Sequence, residues 1–299
     1  MNERADDRSI SGGGRSVDRV MALLRHVGAL DSRITLERSF KLIHGRLFED
    51  RILLGIDRLG RAGPLDDEIV STCEKIGMPD DLLSSFKRTL ADANHVYFGA
   101  ENNEAGLMLK AYLEFRDKIE VEIASAPVAG RSYVLFTGYK WDAQSPSRQA
   151  VTRYAWYPSL PPAGILRRLR VIIDPPKHAA LYGIVQETIE RVSASVPDGD
   201  FQYLEVTEEG NPRTSFDINV YKARRQVQEM HALLLRAVQH FAIAPAQFAS
   251  LYGRINSERF GHLAGGVDRH GREFMTVYHG VTHADGRSLR SAALAQRRD

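Results

Sequence analysis

The feature that most constrains this chain is a short pattern that returns four times, each time in the second half of a candidate β-hairpin. Lys110-Ala-Tyr112, Thr152-Arg-Tyr154, Asn219-Val-Tyr221 and Thr276-Val-Tyr278 each set a hydrogen-bonding side chain and a tyrosine two residues apart. Alternate residues of a strand face opposite ways, so both members of each pair share a face. The opposite face is apolar: Leu107, Leu109, Ala111, Leu113 and Phe115 in the first case, Phe216, Ile218 and Val220 in the third, Met275 and Val277 in the fourth. A sheet with one apolar face needs helices to cover it.

The hairpins themselves are read from β-rich runs separated by turn chemistry. Residues 95–100 pair with 107–115 across an Asn-Asn-Glu-Ala-Gly turn, and 132–139 pair with 151–157 across a Ser/Pro loop. Residues 201–207 meet 214–221 across Glu209-Gly210-Asn211-Pro212, and 260–267 meet 273–279 across Asp268-Arg269-His270-Gly271. Helical stretches at 164–173, 179–192 and 223–241 fill the gaps between later hairpins, and another follows Ser16. Hairpin alternating with helix is a repeat. The segment 33–58 is open between an amphipathic helix on Leu36, Phe40, Ile43 and Leu47 and a further hairpin on 40–44 and 52–56, because short apolar runs fit both periods. Residues 1–15 and 283–299 lack apolar periodicity and are expected to be tails around one domain at 16–282.

Composition narrows the function classes. Forty basic residues nearly balance 38 acidic ones with no long basic block, so a nucleic-acid partner is not indicated, while a local basic pocket stays open. The N-terminus has no apolar leader, no run reaches the ~20 apolar residues of a membrane helix, and the single Cys73 reads as a small buried hydrophobe, so a cytoplasmic location is expected. No P-loop, Gly-x-Ser-x-Gly elbow or dinucleotide fingerprint occurs. Asp66-Asp67 and Asp80-Asp81 lack the third carboxylate of an Asp-Asp-x-x-Asp diphosphate motif, and His279 with His283 does not lie on a helix, so no metal site is expected.

The fold class is therefore α+β, with repeated antiparallel hairpins and helices. The tyrosines can be β-formers on a solvated sheet face. Alternatively, closing the sheet into an antiparallel barrel with an outer ring of helices would remove its edges and enclose a polar lumen lined by Lys110, Tyr112, Tyr154, Asn219, Tyr221 and Tyr278. Over about residues 95–280 the chain resembles the aromatic prenyltransferases of the αββα (PT) barrel type, nearest their indole, dimethylallyltryptophan synthase-like branch. Lys110-Ala-Tyr112-Leu-Glu-Phe and Thr152-Arg-Tyr154-Ala-Trp-Tyr157-Pro158 look like that family's strand endings. Only Lys110 keeps the lysine of the pair; Thr152, Asn219 and Thr276 replace it elsewhere.

The resemblance implies transfer of an allyl group from an isoprenyl diphosphate to an electron-rich aromatic acceptor, an indole or a peptide side chain. Lys110, Asn219, Arg46, Arg51 and Arg153 are its candidate diphosphate contacts. Tyr112, Tyr154, Tyr221 and Tyr278 would shield the allylic cation with their π-faces. His95 and Glu101, on or just after the strand paired with that of Lys110, are the candidate bases. No cofactor is implied, with magnesium at most assisting by screening the diphosphate. The alternative function is a non-catalytic barrel that binds a small aromatic or lipid-like ligand.

Overall fold

Ten strands hydrogen-bond in the cyclic order β1-β10-β9-β8-β7-β6-β5-β4-β3-β2, every neighbour antiparallel, so the sheet closes on itself. The computed structural model describes residues 10–285 and 288–289, apart from 31, 59–62, 105, 127, 129, 159, 197–200 and 269. The four expected hairpins are β3 (His95–Asn103) with β4 (Gly106–Glu114), β5 (Tyr133–Asp142) with β6 (Gln149–Trp156), β7 (Gln202–Glu208) with β8 (Asn211–Asn219), and β9 (Phe260–Val267) with β10 (Glu273–Asp285). The open segment at 33–58 is a fifth hairpin, β1 (Arg33–Ile43) with β2 (Arg46–Asp57), turning at His44-Gly45 where Gly45 takes φ 72°. Such a two-residue turn needs a positive φ that glycine adopts without steric cost. β1 then closes the barrel against β10, from Ile43 opposite Phe274 to Arg33 opposite Asp285. β10 thus runs three residues into the expected tail. Helix α1 (Ile10–Val27) likewise begins inside the expected N-terminal tail, and residues 1–9 and 290–299 lie outside the described residues.

Helices cover the outside of the barrel. α1 precedes the first hairpin; α2 (Pro64–Lys75) and α3 (Asp80–Leu90) lie between the first and second, and α4 (Arg116–Ser125) follows the second. α5 (Pro162–Ile173) and α6 (Ala179–Ser193) follow the third hairpin, with α7 (His231–His240) and α8 (Pro245–Ile255) before the last. α3 shows the local logic. Asp80 and Asp81 in its first turn and Lys87 and Arg88 in its last complement the helix dipole, while Leu82, Leu83, Phe86 and Leu90 are buried. The helix expected at 223–241 starts later than its periodicity suggests. Arg224 adopts left-handed φ 54° and Gln226 bridges to Arg259 in β conformation, so two short 3-10 turns precede α7.

The outer faces of the strands and the inner faces of the helices form the core. Phe40, Leu42, Phe216, Ile218, Met275 and Val277 pack with α5 to α8, while Leu107, Leu109, Ala111 and Leu113 pack with α1 to α3. Cys73 is buried in this second cluster, and burial pushes its thiol pKa upward. Among the described residues no helix is long and apolar enough to cross a membrane.

The inner face is built differently. Tyr112 stands opposite Gly138, and a methyl group at that glycine would lie 2.7 Å from the Tyr112 ring and 2.6 Å from Thr152 Oγ1. The tyrosine therefore lies along the barrel wall only because its neighbour has no side chain. Gly138→Ala should lower stability by about 1–3 kcal/mol through overpacking. Thermal denaturation followed by circular dichroism checks this, and an unchanged melting temperature would show that the wall yields freely.

Candidate active site

Residues on the inward face divide the lumen into two chambers. The smaller, called the inner chamber, is about 190 Å³ and is lined among others by Glu37, Tyr97, Glu114, Phe136, Asn219 and His262. The larger, called the outer chamber, is about 640 Å³ and is lined by Lys41, Lys140, Arg148 and Arg272 and by Glu104, Asp142, Glu208 and Asp268 among others. Arg51, Glu101, Lys110, Tyr112, Tyr154, Asp217 and Tyr278 line both, so they form the waist between them.

An ion knot occupies the waist. Glu101 Oε2 pairs with the Arg51 guanidinium, directly opposite on β2, and lies 2.5 Å from Lys110 Nζ. All three side chains are at most 12% exposed. Arg51 Nε also donates to Ser39 Oγ at 3.2 Å. Burial alone would raise the Glu101 pKa, but the Arg51 and Lys110 charges outweigh it and hold the carboxyl well below the usual range. Lys140 stands opposite Lys110 on the neighbouring strand, both facing inward. Like charges so placed repel, and Lys41 lines the same chamber, where the carboxylates of Glu104, Asp142, Glu208 and Asp268 balance the basic side chains.

Aromatic rings wall the waist and the inner chamber. Tyr112 meets Tyr154 edge to face at 5.8 Å, Tyr154 meets Phe136 at 6.0 Å, and Phe136 meets Tyr97 at 5.9 Å. Tyr278 lies on the wall formed by β10, 5.3 Å from the His262 ring. Burial raises the phenol pKa values of Tyr112 and Tyr278, so both rings are neutral.

A second polar cluster lines the inner chamber. His262 Nδ1 donates to Asp217 Oδ1 at 2.9 Å, and its Nε2 lies 3.9 Å from Glu37 Oε1, which accepts the Tyr221 hydroxyl. Burial by itself would discharge His262, but Asp217 and Glu37 raise its pKa to about 9. Glu37 moves the other way from Glu101: burial raises its pKa, and the opposing pull of His262 and the Tyr221 hydrogen bond is too weak to reverse this. Glu114 accepts Tyr97 Oη at 2.7 Å and Arg116 Nε at 2.9 Å nearby.

Of the residues singled out from sequence, Arg51, Glu101, Lys110, Tyr112, Tyr154 and Tyr278 converge at the waist. Asn219 lines only the inner chamber, where its amide oxygen accepts the Tyr221 backbone N–H at 3.0 Å. Tyr221 lies just past the end of β8, stacked edge to face on His262 at 5.5 Å, and reaches the site through its hydroxyl. Arg46 sits at the β1–β2 turn, exposed and 3.4 Å from Glu104. Arg153 points outward between Thr152 and Tyr154 and pairs with Glu209 on the surface, because alternation turns it away from the lumen. His95 begins β3, beyond Tyr97, against Asn94 at 2.9 Å and Asp57 at 3.8 Å, and lines neither chamber. Sequence reading passed over Glu37, Lys41, Phe136, Lys140, Asp217 and His262. For three of these a signal existed: Glu37, Ser39 and Lys41 alternate with Phe40 and Leu42 along β1, and Asp217 shares the polar face of its strand with Asn219, opposite Phe216 and Ile218.

No family model matches the chain, and no curated protein matches it either. Solved structures do. The 5-dimethylallyltryptophan synthase from Streptomyces coelicolor superposes with a TM-score of 0.55 at 12% identity, over 82% of this chain and 80% of that one. The prenyltransferase PriB, in a ternary complex with L-tryptophan and dimethylallyl thiolodiphosphate, superposes with a TM-score of 0.54 at 12% identity, over 88% and 95%. A 6-dimethylallyl tryptophan synthase gives 0.52 at 11% identity, over 82% and 80%. This chain has the αββα barrel fold of the aromatic prenyltransferases.

Proposed function

We propose that the protein is an aromatic prenyltransferase that moves an allyl group from an isoprenyl diphosphate to an indole or another electron-rich ring, free or on a peptide. The observation that carries this is the waist: two buried cations, Arg51 and Lys110, set among the rings of Tyr112, Tyr154 and Tyr278. The donor's carbon–oxygen bond breaks with its electron pair leaving on the diphosphate. Arg51 and Lys110, helped by Lys41 and Lys140, stabilise that developing charge. The allylic cation is favoured over the tyrosine π-faces and kept from water by the closed wall. An aromatic carbon of the acceptor then supplies the electrons of the new bond and loses its proton.

Glu37 suits the base better than Glu101 or His95. A base should have a pKa near the working pH; Glu37 is raised and faces the inner chamber, whereas Glu101 is held ionised by two cations and His95 lies outside both chambers. His262, charged and tied to Asp217, limits the rise of Glu37. The second reading, a non-catalytic barrel binding an aromatic or lipid-like ligand, draws on Thr152, which stands where the family pattern has lysine and gives its hydroxyl to the Gly138 carbonyl at 3.2 Å.

Diphosphate release separates the two readings. Incubation with dimethylallyl, geranyl and farnesyl diphosphates, with and without tryptophan, should liberate diphosphate, and no release with any donor would favour the binding module. Because protein cations supply the counter-charge, release should survive EDTA. Loss of activity in EDTA that magnesium restores would contradict this. Lys110→Ala should lower the chemical rate on the order of 10²-fold, as expected for loss of one preorganised donor; a folded variant with wild-type turnover would place the diphosphate elsewhere.

Glu37→Gln should lower kcat by about 10²–10⁴-fold, the range for general-base catalysis. In the wild type the acid limb of kcat/KM should lie above the ordinary carboxylate value, since the base must be deprotonated. His262→Gln removes a positive charge that favours the Glu37 carboxylate, so the limb should move to higher pH. A limb that stays in place, or moves down, would exclude Glu37.

A further inference from the structure

The carboxylate at the centre of the waist has no place among the steps above. Glu101 cannot serve as the base, and a buried ion knot is weak grounds for stability, because apolar side chains of similar volume often serve a fold as well. Its position is specific. A single oxygen, Oε2, is shared by Arg51 and Lys110, the two cations that face both chambers. Lys41 adds to the positive potential acting on it. Two buried cations without a counter-ion would repel each other and lose hydration. Glu101 offsets that cost, in the place where an incoming anion would otherwise do so.

We propose that Glu101 is the resident counter-ion of the diphosphate seat: it orients Arg51 and Lys110 before the donor binds and competes with diphosphate for them. The inference rests on the prenyltransferase reading of the waist. Its consequence concerns binding and release. A diphosphate must take both cations from a carboxylate that stays charged beside it, so donor and product are held less tightly than the cations alone would hold them. The released diphosphate is in turn displaced as Glu101 regains its partners. Glu101 is thus a positioning residue that sets affinity for the anion without touching the reacting carbon.

Calorimetric titration with inorganic pyrophosphate tests this on the wild type, Glu101→Gln and Arg153→Ala, whose exposed pair with Glu209 lies outside the lumen. Glu101→Gln should bind pyrophosphate on the order of tenfold tighter, since a nearby like charge of one unit has been removed from a buried site. Product inhibition by pyrophosphate should tighten in parallel, the donor KM should fall, and the acceptor KM should hold. Arg153→Ala should match the wild type. If wild type binds pyrophosphate and Glu101→Gln binds it equally or more weakly, the counter-ion role is overturned while the diphosphate seat stands. If neither binds it, both are overturned. Should Glu101→Gln fail to fold, Glu101→Asp carries the test: its carboxylate is one methylene short of the two cations, so pyrophosphate should again bind tighter, by a smaller factor, and equal or weaker binding overturns the proposal.

Discussion

Closure of the ten-stranded sheet is the constraint on which everything else in this structure depends. Once β1 pairs with β10, every strand has one face towards the helices and one towards the lumen, and the two-residue period of the backbone sorts side chains between two environments. Outward positions such as Phe40, Leu42, Phe216 and Val277 merge with the helices into the hydrophobic core. Inward positions have no such partner layer. They face one another across a narrow space, where unpaired charges are costly, and the lumen resolves this by forming local clusters.

Two of those clusters are built around a buried carboxylate. Glu101 lies between Arg51 and Lys110, while Glu37 lies among His262, Asp217 and the Tyr221 hydroxyl. The two carboxylates share one lumen and are both buried, yet burial wins at Glu37 and neighbouring cations win at Glu101. Carboxylates driven apart in this way can take different roles, one as a proton acceptor and one as a fixed charge. The tyrosines between them supply surface that is apolar enough to exclude water and electron-rich enough to face a cation. The ion knot and its aromatic walls thus lie where the two chambers meet, and the Glu37–His262 cluster lines only one of them.

Much of this architecture was legible in the linear chain. Alternation over residues 107–115, 214–220 and 273–279 revealed strands, their two faces and the need for covering helices, because covalent geometry sets that period locally. Lys110, Tyr112, Tyr154 and Tyr278 were found because polar and tyrosine positions two apart must share a face. The segment 33–58 resisted because Leu36, Phe40, Ile43 and Leu47 satisfy a helical spacing as well, and only pairing with β10 decides it. Arg46 and Arg153 show the limit of reading charge alone: both are cations in the right strands, and both face the surface.

What the sequence determined by itself was four of the five hairpins and a polar, tyrosine-bearing face on the second strand of each. What the tertiary structure decided was which inward groups are neighbours. Glu37 and His262 are more than two hundred residues apart and meet because β1 closes against β10, which in turn pairs with β9. Glu101 is set opposite Arg51 by the register of β2 with β3. A carboxylate's proton affinity depends on the charges and solvent within a few ångströms. Those are fixed by strand order and register around the barrel, so the sequence could show two glutamates but not which way the pKa of each is pushed.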